Sequence, residues 1–249
     1  ETERPFLNRL IDFIEIGRLA KAEHVISLFD KTLVCSVEDQ SYLEKLHKTS
    51  NVEILLNGVD LETFDVGVGH DYSHNKVVLF TGNMDYAPNV DAVQYFVKEM
   101  WPVISIANPN TKFIIAGQRP VEGVKRLAND RIEVTGFIPD LKDMYAQASV
   151  VIAPLRFGAG TQNKVLEAMA MGVPTVCTHI GFEGLQIQSG QGVIMAKDKD
   201  VFIVQVNTLL ADATERSKVG EQGLEIAKSR FSWDRIALQL EAYLTQVKS

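Results

Sequence analysis

Between Arg156 and Glu167 the chain carries Arg156, Gly158, Gly160, Thr161, Gln162, Asn163, Lys164 and Glu167. Two cations, two glycines, a hydroxyl and two amides in so short a run suit a small anion. Glycine lets the backbone come close to a ligand, and the free N–H groups of a helix's first turn attract negative charge. The chemistry that fits is the binding of a phosphate or diphosphate. Lys164 sharpens this, because a cation in a first turn opposes the helix dipole by about 0.3–1 kcal/mol unless an anion is bound. The spacing leaves two other readings of Lys164 open, a solvated side chain or an i,i+3 pair with Glu167.

The elements that must hold these residues are a strand and a helix. Val150, Val151, Ile152 and Ala153 form a buried-strand run closed by Pro154. Thr161 then reads as the N-cap of a helix whose Val165, Ala168, Met169 and Gly172 recur at helical spacing. Around this unit the rhythm is regular. Strands are predicted at Val77–Phe80, Lys112–Ala116, Ile132–Val134, Val173–Cys177 and Gly192–Met195. Helices are predicted after Asn89, at Val121–Leu127, Leu141–Ala148, Val201–Leu210, Arg216–Lys228 and Trp233–Val247. Such alternation predicts an α/β domain with a doubly wound, mostly parallel sheet covered on both faces. Ligands of such sheets sit beyond the carboxyl ends of the strands. Gly82, Gly117, Gly136, Gly158 and Gly160 all follow strand ends, which gathers them on one edge. Phe96, Trp101 and Phe113 read as core.

Residues 6–29 show helical spacing in Leu7, Leu10, Ile11, Ile14, Ile16 and Leu19. Lys31–Val37 reads as a strand, Ser36 as the start of a helix, and Val52–Leu56 as a second strand. These elements are too few to close a doubly wound domain, so residues 1–56 are expected to be the end of something larger. Asn57-Gly58-Val59-Asp60 marks a turn, and 57–76 is predicted as a linker into a domain over 77–249. His70 and His74 lie four apart, but in a stretch with no helical pattern, so no metal site is expected there.

Composition excludes several classes. The chain has 249 residues, 46% hydrophobic and 23% charged, with a net charge of −7. That balance argues against general nucleic-acid binding. The two cysteines, Cys35 and Cys177, are far apart and read as free thiols of a reducing cytoplasm. No apolar run reaches the roughly 20 residues of a membrane span, and no signal peptide is visible. The first residue is Glu1 rather than Met, so the start is expected to have been cut away. Gly158 to Asn163 nearly matches G-x-G-x-x-G, but Asn163 replaces the third glycine. No acidic residue follows about 20 positions on, which makes a dehydrogenase a weak reading. The P-loop and the G-x-S-x-G elbow do not occur.

Asn57-Gly58-Val59-Asp60, Gly82 with Pro88-Asn89, Gly136-Phe137-Ile138-Pro139-Asp140 and the run Pro154–Pro174 resemble retaining glycosyltransferases of family four. The resemblance covers roughly residues 50–249, and Lys164 to Ala170 with Gly172-Val173-Pro174 is its most specific part. Within it, Ile152–Met171 with Gln162-Asn163-Lys164 is most similar to sugar transferases of bacterial exopolysaccharide and exosortase gene sets. The resemblance implies the Rossmann-like C-terminal half of a GT-B fold, with residues 1–56 the tail of an acceptor-side domain. The final helix would cross back toward that domain.

It also implies roles. Glu167 would bind the ribose, and Gly160, Thr161 and Gln162 would face the diphosphate or sugar with Lys164 beside them. Phe137 and Ile138 would meet the base, and Gly82 the phosphates. Arg156 would either share the phosphate grip or cap its strand end. His179 and Glu183 stand on the same edge, toward the sugar or as loop structure. Two departures stand out: Ala159 occupies the position of a second family glutamate, and Asn83 and Pro88 stand where relatives carry Arg and Lys. The expected partners are a nucleoside-diphosphate sugar and a glycan or lipid-linked acceptor. No cofactor, metal or nucleic acid is expected. The expected setting is the bacterial cytoplasm, with peripheral attachment to the inner membrane through the N-terminal domain. A nucleotide-sugar epimerase and a non-catalytic binding module remain the alternatives. No residue is singled out as catalytic, and this chain alone is expected to bind donor without transferring it.

Overall fold

Short, mostly apolar runs of three to five residues become the parallel strands of a six-stranded sheet. The computed structural model describes residues 17–18, 24–48, 51–65, 69–73 and 76–247. A small unit comes first: β1 (Thr32–Val34), α1 (Val37–His47) and β2 (Val52–Ile54), the two strands pairing in parallel. Ser36 caps α1 by accepting from the Asp39 N–H at 3.0 Å. Of the helical spacing read over 6–29, residues 6–16 and 19–23 lie outside the described residues, and His24–Leu28 forms a short 3-10 helix.

The larger unit then alternates. Its elements are β3 (Val77–Thr81), α2 (Ala87–Glu99), α3 (Trp101–Ala107), β4 (Lys112–Ala116), α4 (Glu122–Lys125), β5 (Ile132–Gly136) and α5 (Lys142–Gln147). There follow β6 (Val150–Ala153), α6 (Asn163–Ala170), β7 (Thr175–Cys177), α7 (His179–Phe182), β8 (Val193–Met195), α8 (Lys199–Ala211), α9 (Ala213–Ile226) and α10 (Trp233–Val247). Two helices go beyond the sequence pattern. Trp101 opens α3, with Pro102 in its first turn, and α7 is one turn capped by Thr178.

The strand order is β5-β4-β3-β6-β7-β8, all parallel, as the alternation requires. Successive side chains of a strand face opposite sides of the sheet. Val78, Phe80, Phe113 and Ile115 accordingly join one core with Phe96, Trp101 and Phe202. Leu79, Ile114 and Ala116 join another with Tyr145, Ala168 and Val173. The chain winds outward from β3 to β5, then crosses back to place β6 on the other side of β3. Between the carboxyl ends of β3 and β6 lies the switch point, where doubly wound sheets open a crevice.

The stretch predicted as a linker is tied down where it is described. The Val59 N–H donates to the Phe231 carbonyl at 2.7 Å, and Phe64 sets its ring edge-on to Tyr145. Tyr72 donates its hydroxyl to the Gly172 carbonyl at 2.7 Å, and Arg216 donates to the Tyr72 carbonyl. His70 stacks edge-on against Tyr72, and burial pushes its pKa down. His74, the other half of the predicted pair, lies outside the described residues. At the far end, Gln239 and Tyr243 of α10 donate to the Ile54 carbonyl at 3.0 and 3.1 Å, which sets the last helix against β2.

Candidate functional site

Two glycine turns let the loops after β3 and β4 meet. Gly82 has φ +154° and Gly117 has φ +152°, and a Cβ on Gly117 would stand 1.7 Å from the Gly82 carbonyl oxygen. Beside this contact, α6 begins at the end of the β6 loop. Its N-cap is Gln162, not Thr161 as the sequence suggested, and no capping side chain bonds the first-turn N–H groups. The Thr161 hydroxyl is drawn elsewhere, donating to the Cys35 carbonyl at 3.3 Å. Gly160, at φ +74°, turns the chain there, a conformation that side chains rarely adopt.

Lys164 lies one residue into α6 and is only 7% exposed. Its ammonium donates to Asn89 Oδ1 at 3.1 Å and to Gln162 Oε1 at 3.3 Å, and sits 4.8 Å from the centre of the Phe80 ring. These partners are all neutral. Burial pulls its pKa down from 10.5 to about 8, against a smaller opposing effect of the Glu167 charge. The structure therefore replaces both open sequence readings: Lys164 is neither solvated nor ion-paired with Glu167. A buried cation with no hydrogen-bonded counter-charge costs several kcal/mol, less what the ring face, two amide oxygens and the more distant Glu167 charge return. Asn89 is itself fixed, its Nδ2 donating to the Asn83 carbonyl at 3.1 Å and packing on Gly82. The Asn83 side-chain oxygen is buried and has no hydrogen-bond partner.

One turn further on, Glu167 is half-buried. Burial raises its carboxyl pKa, while a bond from Tyr145 and the Lys164 charge pull it back. Tyr145 Oη stands 2.6 Å from Glu167 Oε2 and 2.8 Å from Thr81 Oγ1. Burial, then the Glu167 charge, holds the phenol well above its ordinary pKa, so it keeps its proton. A phenol has one proton to give. With that hydrogen directed at the carboxylate rather than at the more distant Lys164 carbonyl at 3.4 Å, Thr81 donates to Tyr145, and the order of donation is Thr81 to Tyr145 to Glu167. No described hydrogen bond engages Glu167 Oε1.

Among the sequence candidates, then, the structure joins Gly82, Gln162, Lys164 and Glu167 through Asn89 and Tyr145, with Gly160 and Thr161 leading into the group. Arg156, read as either sharing the phosphate grip or capping its strand end, is paired with Asp91. It donates Nε to Asp91 Oδ2 at 2.9 Å, makes a second bond to Asp91 Oδ1, and lies 4.6 Å from the Tyr95 ring centre. Its charge is thus already answered. Phe137 is 71% exposed after β5, while Ile138 packs against the core cluster that contains Tyr145. His179 pairs with Glu183 at 3.2 Å. Sequence reading missed Asn89, Tyr145 and Thr81. Asn89 had a signal, since it shares a helical face with Val93 and Phe96, where an amide is out of place. Among the described residues, no group of three His, Cys, Asp or Glu side chains could hold a metal ion.

Comparison with known proteins agrees with this architecture. The family described as "Glycosyl transferases group 1" matches residues 75–212, more than half of the chain. An uncharacterized 44.6 kDa protein in the cps region of Klebsiella pneumoniae is 27% identical over 139 residues, 52% of this chain and 36% of that protein. O-antigen chain mannosyltransferase B of Escherichia coli is 33% identical over 117 residues, 45% of this chain and 30% of that protein. The chain thus spans about a third of the length of these two relatives. Among solved structures, Anabaena HepE in complex with UDP and glucose superposes with a TM-score of 0.74 at 17% identity, covering 92% of this chain and 67% of that one. The C-terminal domain of a glycosyl transferase group 1 protein from Francisella tularensis is covered completely, with a TM-score of 0.56, 18% identity and 71% of this chain. The fold is that of GT-B glycosyltransferases, and the chain belongs to the glycosyl transferases of group 1.

Proposed function

We propose that this chain is the donor-binding half of a retaining sugar transferase that moves a hexose from a nucleoside-diphosphate sugar to a glycan or lipid-linked acceptor in polysaccharide synthesis. The observation that carries the proposal is Lys164. A cation buried at an uncapped helix N-terminus, with only neutral partners, gains most from an anion arriving in the crevice. Supporting this, HepE was solved with UDP and glucose, and the Escherichia coli relative is named for mannosyl transfer to an O-antigen chain. The diphosphate would lie across the start of α6 beside Lys164, with Gly82, Gly160 and Gln162 around it. Glu167 Oε1 would accept from the ribose, and the loop at Phe137 and Ile138 would meet the base.

As the glycosidic bond to the donor breaks, negative charge grows on the departing phosphate while the sugar becomes oxocarbenium-like. Fixed N–H groups and the Lys164 ammonium stabilise that charge without reorganising, which is electrostatic catalysis. In this reading the chain's own positive field makes a metal unnecessary. Residues 1–56 belong to the acceptor-side domain, 57–76 join it to the donor domain over 77–249, and α10 returns to it. This chain alone then binds donor without transferring it, since rate gain requires both reactants to be held together. No described helix is long and apolar enough to cross a membrane. We place the enzyme on the cytoplasmic face, with any membrane contact made through the acceptor-side domain.

The test is a titration of the chain with nucleoside diphosphates, their sugar derivatives and nicotinamide dinucleotide, read by calorimetry and by melting temperature. Any ligand that favours the folded state raises its stability. A diphosphate should bind and raise the melting temperature, and the nicotinamide cofactor should not. Tighter binding of the nicotinamide cofactor than of any nucleoside diphosphate overturns the proposal.

A further inference from the structure

The hydroxyls of Tyr145 and Thr81 are the unexplained expense of this core. Tyr145 is fully buried on α5 and Thr81 is 1% exposed at the end of β3. Their surroundings are Leu79, Ile114, Ala148 and Ala168, where phenylalanine and valine would pack with no polar atom to satisfy. Buried hydroxyls are tolerated when every one is bonded, and a chain of them then fixes a single arrangement. Here the chain ends on the Glu167 carboxylate. The terminal contact, at 2.6 Å, lies in the short range of charge-assisted O–H···O⁻ bonds.

We infer that Tyr145 is a positioning residue for the sugar-nucleotide donor: its hydroxyl, braced by Thr81, locks the Glu167 carboxylate so that Oε1 is presented to the ribose before the ligand arrives. This rests on the ribose role given to Glu167 above. A glutamate side chain has three rotatable torsions, and holding one oxygen removes most of that freedom ahead of binding. The two braces come from β3 and α5, so the carboxylate is referenced to the sheet rather than only to its own helix. Tyr145 also follows the β5 loop by a short connection, and Ile138 of that loop packs in the same cluster. The residue proposed to meet the base and the carboxylate proposed to meet the ribose thus share one buried support.

The experiment compares UDP and GDP with their 2′,3′-dideoxy counterparts on wild type, Glu167→Ala, Tyr145→Phe and Thr81→Val. Tyr145→Phe keeps the ring that packs edge-on to Phe64 at 5.8 Å and removes only the hydroxyl. Wild type should prefer the ribose form about tenfold to hundredfold, the scale of bonds to a charged group. Glu167→Ala should abolish that preference, and Tyr145→Phe should cut it to about threefold or less. In the Glu167→Ala background Tyr145→Phe should change nothing further. If Tyr145→Phe keeps the full wild-type preference while Glu167→Ala loses it, the ribose role stands and the positioning role fails. If Tyr145→Phe weakens ribose and dideoxy ligands equally, it is a core residue only and the inference fails. If Glu167→Ala keeps the preference, or no diphosphate binds wild type, the ribose role fails and this inference with it. Should Tyr145→Phe not fold, Thr81→Val carries the test: a fall of about two- to threefold in preference supports the relay, and an unchanged preference overturns it.

Discussion

Two buried cations sit at helix ends in this domain, and they are held in opposite ways. Arg216, 5% exposed, donates to the Leu209 and Leu210 carbonyls at 2.6 and 3.1 Å and to the Tyr72 carbonyl. Leu209 and Leu210 close α8, so Arg216 lies at the negative end of a helix dipole. Lys164 lies in the first turn of α6, at a positive end, and its hydrogen bonds go to the side-chain amides of Asn89 and Gln162. Backbone carbonyls at a helix terminus need a donor and cannot move. Side-chain amides can turn away and let another oxygen in. The first arrangement closes on fixed carbonyls and leaves only Arg216 Nε without a partner among the described residues, and the second, on the proposed reading, can admit an anion. Burial alone, which lowers the pKa of both groups, would not have separated them.

The contrast breaks most easily at Arg216. Arg216→Met should destabilise the fold by about 3–5 kcal/mol, because it strands three carbonyls and loosens the segment around Tyr72. Urea unfolding would measure this, and the affinity of folded protein for nucleoside diphosphate should not change. Lys164→Met should do the reverse. Stability should stay within about 1 kcal/mol of wild type or rise, since replacing a buried charge that has only neutral hydrogen-bond partners with an apolar chain is often neutral or better. Diphosphate binding should weaken by about 1.5–3 kcal/mol, and monophosphate binding by less. Equal stability losses in the two variants would erase the distinction.

The pH dependence sharpens the same point. Lys164 titrates near 8 in the folded chain, below the ordinary lysine value of 10.5. Its burial therefore costs stability below about pH 8, where folded and unfolded chains both carry the charge. The cost is relieved as pH rises from 8 toward 10.5, because only the unfolded chain then holds the proton. Ligand affinity runs the other way. A diphosphate needs the ammonium, so its affinity should be full below pH 8 and fall by up to about tenfold per pH unit above it. Lys164→Met should lose that slope, and calorimetry between pH 7 and 9.5 would show a retained slope if another group is responsible.

The fold was largely legible in the sequence, because parallel strands buried on both faces announce themselves as apolar runs. Lys112–Ala116 and Trp233–Val247 were read to the residue. Lys164 and Glu167 stood out because charges in a first and second turn beside two glycines ask for an explanation. What stayed hidden was pairing across distance. Tyr145 looks like any aromatic on an amphipathic helix, and nothing local says that its hydroxyl meets a strand end 64 positions earlier. The N-cap was misread for a similar reason: threonine is the better cap in isolation. The Cys35 carbonyl, 126 residues before it, takes the Thr161 hydroxyl instead.

Arg156 gives the smallest effect and the finest discrimination. It shares the strand-end loop with the residues proposed to face the phosphate, and residue type alone put it among them. The structure spends its charge on Asp91 and sets its guanidinium carbon 4.6 Å from the Tyr95 ring centre, both partners on α2. Such a half-exposed pair is screened by solvent and contributes roughly 0.2–1 kcal/mol. Arg156→Ala should therefore lower stability by no more than about that amount and leave diphosphate affinity unchanged within about twofold. Lys164→Met measured beside it supplies the scale. A loss of diphosphate binding in Arg156→Ala comparable to that in Lys164→Met would mean that Arg156 leaves Asp91 when ligand arrives. The crevice would then hold two answering cations, and the division between a cation that is already paired and one that waits would not describe this edge of the sheet.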